Sequence, residues 1–389
     1  MCLRGECRKL TADIMNEWLL NNLLAFGLAF ALTGMLIPQI LVIAFRKNLF
    51  DGHDPRKVHK GDVPRLGGIA FVPAIIFSVL AVVGFGLNVY NATMSEALAN
   101  TIVPLLFFIC SLMLLFLVGI ADDMIGVRYG AKFMFQILAS VLIIGSGVWM
   151  SDFYGLLGLR DVPAWIGWPM TILAVVYVVN AINLIDGIDG LAAGLAALAL
   201  CFYGSVFYFG GAYIYSLVAW SGFGSLLTFL YYNVFGSASR RKKIFMGDTG
   251  SLTIGMLLAF MALLLISDPM DLERSTEISP MVIAVSPLLV PLLDVVRVFF
   301  RRLRKRKNPF MPDRSHIHHK LLALGMTPAA ALTVILSFAL LLLALNVWLS
   351  RLINVNILIL TDIAIWTVGN MALTKAIRRR ERQEGTSLY

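Results

Sequence analysis

Three polar side chains recur at every third position in one short stretch between two long apolar segments. They are Asn183, Asp186 and Asp189, and a glycine follows each aspartate, at positions 187 and 190. Residues three apart share one face of a helical turn, so these side chains can act on one ligand. Oxygen donors of this kind suit a hard cation such as Mg²⁺ or Mn²⁺. A helix-end cap is the alternative, although a cap rarely needs three such residues in register.

Two adjacent aspartates, Asp122 and Asp123, end another apolar segment, and Lys132 follows nine residues later. In a helix, neighbouring side chains point about 100° apart, so these carboxylates cannot chelate as a matched pair. The arrangement favours divided roles, with one acid facing a metal or phosphate and the other handling a proton. A pair of merely solvated acids at a helix end is the alternative.

Asp248 lies between Gly247 and Thr249, where a further apolar segment begins. The N-terminus of a helix favours anions and offers free N–H groups to them. The position therefore suits an N-cap, a ligand-binding acid, or one residue that serves as both.

A later segment is rich in histidine: His316, His318 and His319 stand close together, and Asp294 precedes them. A zinc site is disfavoured because no cysteine is near and one segment would have to supply every ligand. A solvated basic loop is a further alternative. We expect the histidines to bind substrate through hydrogen bonds and charge.

Basic side chains at several of these segments suit an anionic substrate. The residues best placed to pair with phosphate oxygens are Lys57, Arg65 and Lys132. Acids, amides, basic residues and histidines together favour a phosphorylated substrate held with a divalent cation.

The composition says which elements must position these residues. Of 389 residues, 59% are hydrophobic and 14% charged, against about 45–50% and about 25% in soluble domains. Uninterrupted apolar runs of about 20 residues predict an all-α polytopic membrane protein. We expect about eleven transmembrane helices, at residues 19–45, 67–87, 101–121, 133–150, 165–182, 191–209, 213–235, 252–267, 281–299, 329–349 and 357–376.

Lysine and arginine set the expected orientation. Of 32 such residues, 26 lie in residues 46–66, 122–132, 236–251 and 297–328 and in the tail from Lys375. Positive residues concentrate on the cytoplasmic side, which predicts the N-terminus outside, the C-terminus inside and the active site on cytoplasmic loops. This one-sided distribution also argues against nucleic acid as the reason for the net charge of +9.

The expected division is a leader (1–18), a single transmembrane catalytic domain (19–376) and a basic cytoplasmic tail (377–389). Three of the six remaining basic residues precede Met15, which raises the hypothesis that translation starts there. A mass spectrum of mature protein that retains residues 1–14 would reject it. The four cysteines show neither a disulfide pattern nor a metal-binding spacing.

The order of these motifs resembles that of the polyprenyl-phosphate N-acetylhexosamine-1-phosphate transferases. The shared elements are Asp122-Asp123 with Lys132, Asn183-x-x-Asp186-Gly-x-Asp189-Gly, Gly247-Asp248-x-Gly-Ser and His316-x-His318-His319. The Pro64-Arg65-Leu-Gly-Gly stretch resembles the WecA/TagO-like branch more than the MraY branch. This resemblance runs from the first loop to about residue 325.

The resemblance implies transfer of GlcNAc-1-phosphate from UDP-GlcNAc to undecaprenyl phosphate, with release of UMP. The expected cofactor is Mg²⁺, with Mn²⁺ as a substitute, and the expected location is the bacterial cytoplasmic membrane. UDP-GlcNAc, undecaprenyl phosphate and membrane lipid are the expected partners, and a homodimer is left open.

Residue by residue, the resemblance implies metal ligation by Asn183 and Asp248, with Asp186 close by or supporting them. Asp122 or Asp123 would deprotonate or orient the lipid phosphate, and a two-step route through an aspartyl-phosphate stays open. The expected substrate-binding residues are Lys132, Asp189, Lys57, Arg65, Asp294, Arg314, His316, His318 and His319.

Two alternatives stay open from the sequence. The donor could be another UDP-HexNAc or UDP-MurNAc-pentapeptide. An ion-coupled transporter would also use membrane acids, but such sites tend to lie near the bilayer midplane between internal repeats. The acids here lie at segment ends on one side.

Overall fold

Helices form the regular structure in the part of the chain that is described. The computed structural model describes residues 4–49, 63–89, 91–268, 278–306 and 315–384, and no strand occurs in these ranges. The all-α prediction is therefore confirmed. The α-helices there are α1 (Arg4–Lys47), α2 (Phe71–Val89), α3 (Asn91–Ala99), α4 (Ile102–Ile125), α5 (Tyr129–Gly145), α6 (Ala164–Ile185), α7 (Leu191–Phe209), α8 (Tyr213–Val234), α9 (Gly247–Ser267), α10 (Pro280–Val285), α11 (Leu289–Arg304), α12 (Ile317–Ala323), α13 (Pro328–Leu349) and α14 (Val355–Glu384).

Ten helical stretches among the described residues are long and apolar enough to cross a membrane. One of them, Pro280–Arg304, combines α10, the short 3-10 helix Ser286–Leu288 and α11. Helix α5 is apolar but has only 17 residues, fewer than these ten, and it corresponds to the predicted span 133–150. Every predicted span thus has a helical counterpart, and the chain is a multi-pass membrane protein. Its orientation stays a prediction.

Three of the differences from the predicted spans change how the chain is organised. Helix α1 begins at Arg4 and not at position 19, so the described part of the predicted leader is helical and continuous with the first span. The predicted span 281–299 is interrupted near Pro287, because proline lacks the N–H that a continuous α-helix needs. Helix α14 runs to Glu384, past the predicted start of the tail. The division into domains stays a prediction.

Helix α9 lies at the centre of the bundle. Residues 249–266 of this helix are all buried, as is expected of a helix that is hydrophobic on every side. Glycines allow its neighbours to approach closely. A Cβ added to Gly119 of α4 would lie 2.4 Å from the Cα of Thr249, and one on Gly255 would lie 2.8 Å from the Cα of Val179 in α6. Membrane helices associate through such close packing, which here holds α9 against α4 at its start and against α6 about two turns further along.

Replacing Gly119 by alanine is expected to destabilise the protein by about 1–3 kcal/mol, because the added methyl group would overlap backbone that must then shift. Thermal unfolding of the purified protein in detergent measures this. The matched control is Gly84→Ala in α2, where an added Cβ meets nothing within 4 Å. An alanine in an open helical position should be neutral or slightly stabilising. Equal melting temperatures for the two variants would contradict the close contact.

Candidate active site

Four helix ends meet on one side of the bundle and carry the predicted acids, amide and lysine. Helices α4 and α6 end there, and α5 and α9 begin there. Asp248 is in contact with Asp123, Lys132 and Asn183, which come from three different helices. These distant segments therefore converge at one place. The chemical roles of the individual side chains stay predictions.

Asp123 caps helix α9 from the end of α4. Its Oδ1 accepts a hydrogen bond from the backbone N–H of Asp248 at 2.7 Å. Its Oδ2 accepts from the N–H of Thr249 at 2.9 Å and from the Thr249 hydroxyl at 2.6 Å. These satisfy N–H groups that a helix start leaves without an intrahelical partner. The predicted N-cap role at this helix thus falls to Asp123, and the Asp248 carboxylate is free for other contacts.

Asp122 faces away from this cap, as its helical position predicts. Its Oδ1 accepts from the Val127 N–H at 2.6 Å, and its Oδ2 accepts from the Lys132 ammonium. The same ammonium donates to Asp248 Oδ2 at 3.4 Å. Lys132 thus bridges two carboxylates, and the adjacent aspartates divide their contacts between helix capping and ion pairing.

Asn183 approaches Asp248 from the end of α6. Its Nδ2 donates to Asp248 Oδ1 and, at 2.7 Å, to the Ser251 hydroxyl. Among the described residues, nothing donates a hydrogen bond to its Oδ1. The two hydrogen bonds of its Nδ2 therefore hold the Asn183 amide in an orientation that leaves its oxygen available to a ligand. One turn earlier on the same helix, Asn180 donates to Gln136 of α5 at 2.6 Å.

Asp186 directly follows the last residue of α6. Many protein atoms lie around its side chain, but the side chain remains accessible to solvent. Desolvation by this surrounding protein and the negative charge of Asp248 raise the pKa of Asp186 to about 7. Arg65 opposes this shift, whereas Asp189 and Asp123 add to it. Mutual repulsion among carboxylates is a property of sites that accept a cation.

Asp189 is paired with a residue that the sequence did not single out. The Lys243 ammonium donates to Asp189 Oδ2 at 2.5 Å. Nearby, Asn233 Oδ1 accepts from the Gly190 N–H at 2.6 Å, and its Nδ2 donates to the Ile244 carbonyl at 2.8 Å. Asn233 therefore joins the loop after α6 to the loop before α9.

The first loop reaches the site through backbone pairing. Phe245 N–H donates to the Pro64 carbonyl at 2.8 Å, and Gly67 N–H donates to the Phe245 carbonyl at 2.9 Å. Arg65 lies within this paired segment, which places it near Asp186. Two other predicted substrate contacts, Lys57 and Arg314, lie outside the described residues.

Asp294 organises the histidine segment from α11. It is fully buried, and its Oδ2 accepts from His316 Nδ1 at 2.8 Å. Arg297 donates to its Oδ1 at 2.8 Å, and the Ile317 N–H at the start of α12 donates to Oδ1 at 3.1 Å. A carboxylate on one ring nitrogen fixes a histidine so that the other nitrogen can face a substrate. These contacts give Asp294 a holding role, and its predicted contact with substrate stays a prediction.

His318 packs against the loop that carries the aspartates. A Cβ added to Gly187 would lie 2.1 Å from the His318 ring, so only glycine permits this approach. Neither ring nitrogen has a hydrogen-bond partner among the described residues. Burial, together with the charges of His319 and His316, lowers the pKa of His318 to about 3. The ring is therefore neutral near pH 7 and can act by hydrogen bonding but not by charge.

The described residues contain no preformed group of three or more histidine, cysteine, aspartate or glutamate side chains that could hold a metal. They do contain a set of oxygen donors at one place. Asp248, Asp186 and the Asn183 carbonyl fit Mg²⁺, which typically takes one or two carboxylates and leaves positions for water and substrate phosphates.

Comparison with known proteins identifies the family. Residues 104–266, which span α4 to α9, match a family model described as glycosyl transferase family 4. A Bacillus subtilis (strain 168) protein named "Probable undecaprenyl-phosphate N-acetylglucosaminyl 1-phosphate transferase" is 30% identical over 365 residues, which cover 92% of this chain and 94% of that protein. The chain belongs to glycosyl transferase family 4.

Two enterobacterial proteins, both named "Undecaprenyl-phosphate alpha-N-acetylglucosaminyl 1-phosphate transferase", are also similar to this family 4 chain. That of Salmonella typhi is 30% identical over 295 residues, 75% of this chain and 74% of that protein. That of Escherichia coli (strain K12) is 30% identical over 307 residues, 78% of this chain and 77% of that protein. The resemblance inferred from the motifs is confirmed, and membership of family 4 favours an enzyme over the transporter.

Sequence reasoning missed three side chains that shape this family 4 site: Asn233, Lys243 and Ser251. Asn233 is the second-last residue of the apolar helix α8, where an isolated amide was an available signal. Lys243 was hidden in a basic run, and Ser251 was noted only as part of a glycine-containing motif. Their importance depends on which loops touch, which spacing along the chain does not reveal.

Proposed function

We propose that the protein transfers GlcNAc-1-phosphate from UDP-GlcNAc to undecaprenyl phosphate, giving undecaprenyl-pyrophosphoryl-GlcNAc and UMP. The observation that carries this proposal is the gathering of Lys132 and Asn183 around Asp248 at the ends of membrane helices, with Asp122 paired to the same lysine. The names of relatives that match most of the chain support the choice of substrates. The proposed location is the bacterial cytoplasmic membrane, with the site facing the cytosol.

In the proposed reaction, an oxygen of the lipid phosphate attacks the β-phosphorus of UDP-GlcNAc, and the bond from that phosphorus to UMP breaks. Phosphoryl transfer depends mainly on positioning and on electrostatic stabilisation of phosphate charge. Lys132 is suited to pair with phosphate oxygens, and Asp122 beside it is suited to orient the acceptor. Asp123 supports them indirectly, because its oxygens are occupied by the start of α9.

Mg²⁺ is the proposed cofactor, with Mn²⁺ as a substitute. Asp248, the Asn183 carbonyl and Asp186 would hold it, and the bound ion would neutralise charge on the pyrophosphate and the leaving UMP. The crowding of carboxylates around Asp186 supports a cation at this place.

Affinity for Mg²⁺ is expected to fall below pH 7, by up to about tenfold per pH unit, because a proton on Asp186 must leave before its oxygen binds the ion. The sign follows from the raised pKa of about 7, below which the carboxyl is protonated. Isothermal titration calorimetry at pH 6, 7 and 8, in buffers of different ionisation enthalpy, measures affinity and proton release. Asp186→Asn should remove this dependence, and affinity that is constant over this range in the unmodified protein would contradict the assignment.

The decisive experiment uses the purified protein in detergent with UDP-GlcNAc, undecaprenyl phosphate and Mg²⁺. Formation of UMP together with the lipid-linked sugar is expected, and EDTA should stop both. A panel with UDP-GalNAc and UDP-MurNAc-pentapeptide tests the donor. Absence of product with every donor would reject the transferase proposal, and preference for another donor would correct the substrate.

A further inference from the structure

Lys320, at the middle of helix α12, is buried among protein atoms although the proposed chemistry does not use it. Its side chain is only 3% exposed. Lysine is almost never buried to this extent unless its ammonium is paired. The environment of Lys320 therefore calls for a specific explanation.

All three donors of the Lys320 ammonium find acceptors on α14, the last helix. They are Asn370 Oδ1 at 3.0 Å, the Asn370 carbonyl at 3.2 Å and Thr374 Oγ1 at 3.0 Å. Asn370 and Thr374 are four residues apart and share one helix face. The acceptors are themselves fixed, because the Thr374 hydroxyl donates to the Asn370 carbonyl at 2.8 Å and Asn370 Nδ2 donates to the Trp366 carbonyl at 3.0 Å.

Helix α12 needs such external support. It has seven residues, and helices this short are unstable without tertiary contacts. Asp294 holds its first turn through the Ile317 N–H. Lys320 holds the middle of the helix, and Arg380 of α14 adds a longer contact to the carbonyl of its last residue, Ala323, at 3.4 Å.

The position of Lys320 links this support to the site. It lies one turn after His316 and two residues after His318, the two rings held by Asp294 and packed on Gly187. A rotation or tilt of α12 would therefore move both rings relative to the aspartate-bearing loop.

We propose that Lys320 is a positioning residue for sugar-phosphate transfer: by anchoring α12 to α14, it holds His316 and His318 against the aspartate-bearing loop. The last membrane helix thus belongs to the catalytic unit, although it contributes no side chain to the site among its described residues. The kinetic part of this proposal rests on the proposed function. The anchoring part does not.

The charges around Lys320 oppose its ammonium form, whereas its hydrogen-bond acceptors favour that form. Burial, with the nearby positive charges of Arg297 and Arg301, lowers the pKa of Lys320 to about 7, while Asp294 opposes this shift. The three acceptors favour the ammonium over the neutral amine, since only the ammonium offers three N–H groups.

The test compares Lys320→Met with Lys375→Met, which removes an exposed lysine from α14. Hydrogen–deuterium exchange followed by mass spectrometry reads the anchor directly. We expect peptides covering residues 315–325 to exchange about tenfold faster in Lys320→Met, as loss of buried charged hydrogen bonds predicts. Lys375→Met should match the unmodified protein. Thr374→Val, which removes one acceptor, should give a smaller increase and serves as the test if Lys320→Met does not fold.

Steady-state kinetics provide the second readout. Lys320→Met should lower kcat/KM for UDP-GlcNAc about tenfold, with KM for undecaprenyl phosphate unchanged, because the family resemblance implies that the histidine segment binds the sugar or a phosphate of the donor. Adding Asn370→Leu to Lys320→Met should cause little further loss, since both changes remove the same contact.

Unchanged exchange of residues 315–325 in both Lys320→Met and Thr374→Val would overturn the anchor. Faster exchange with unchanged kinetics would overturn the positioning role. An unmodified protein that makes no lipid-linked sugar would reject the transferase proposal and with it the kinetic part, while the exchange comparison would still decide whether Lys320 anchors α12.

Discussion

Asp248→Asn is expected to reduce Mg²⁺-dependent transfer by at least about a hundredfold, the scale on which loss of one preorganised electrostatic group slows catalysis. Asp248 is in contact with Lys132 and Asn183, and its backbone N–H is held by Asp123. The substitution removes the negative charge at this meeting point while keeping the shape of the side chain. UMP release measured against Mg²⁺ concentration should show a lower maximal rate and a weaker apparent affinity for the ion.

The matched control is Asp268→Asn, which makes the same chemical change just beyond the other end of α9, at an exposed position. Its rate and Mg²⁺ dependence should equal those of the unmodified enzyme. If Asp248→Asn lost activity but kept its Mg²⁺ dependence, a metal-binding role for Asp248 would be wrong.

Asp122→Asn and Asp123→Asn are expected to fail in different ways. Asp123 accepts three hydrogen bonds from the first turn of α9, and an amide in its place would direct N–H groups toward N–H donors. We expect this variant to lose about 1–3 kcal/mol of stability, the cost of leaving buried polar groups unsatisfied.

Asp122, in contrast, pairs with Lys132 and with the Val127 N–H in the loop that follows it. Its amide variant should lose transfer rate by more than about tenfold while keeping its melting temperature.

Paired measurements of melting temperature and of single-turnover rate in detergent separate these outcomes. A variant with Thr249→Val offers a control for the cap, because it removes the hydroxyl contact to Asp123 and leaves both backbone contacts in place. It should be milder than Asp123→Asn. Identical losses of stability in the two aspartate variants would contradict the conclusion that Asp123, and not Asp122, stabilises the start of α9.

The fold was predictable to the level of span count because membrane helices are long and apolar throughout. The first and ninth spans show the limit of this signal. Charged residues at the start of α1 do not end the helix, and the break at Pro287 falls inside an apolar run. Hydropathy reports which residues prefer lipid, whereas helix ends are set by backbone hydrogen bonds and caps.

The candidate site was predictable where residue type alone limits the chemistry. Asp248 and Asn183 were singled out because carboxylates and amides at membrane boundaries are costly and therefore informative. The roles of Asp123 as a cap, of Asp294 as the support for His316 and of Lys320 as an anchor were not predictable. Each depends on a contact between helices far apart in the chain, and one sequence contains no direct record of which helices touch.

The burial of α9 changes what must be preserved along it. Lipid tails are as apolar as leucine, so this helix gains little from leaving lipid for the protein interior. Close packing holds the helix in place, because glycines such as Gly119 and Gly255 leave room for the backbone of a neighbouring helix. Side-chain volume, more than polarity, then decides how well this helix, about 30 Å long, fits its neighbours. The position of Asp248 at the start of α9 therefore depends on how well apolar side chains far from any substrate pack together.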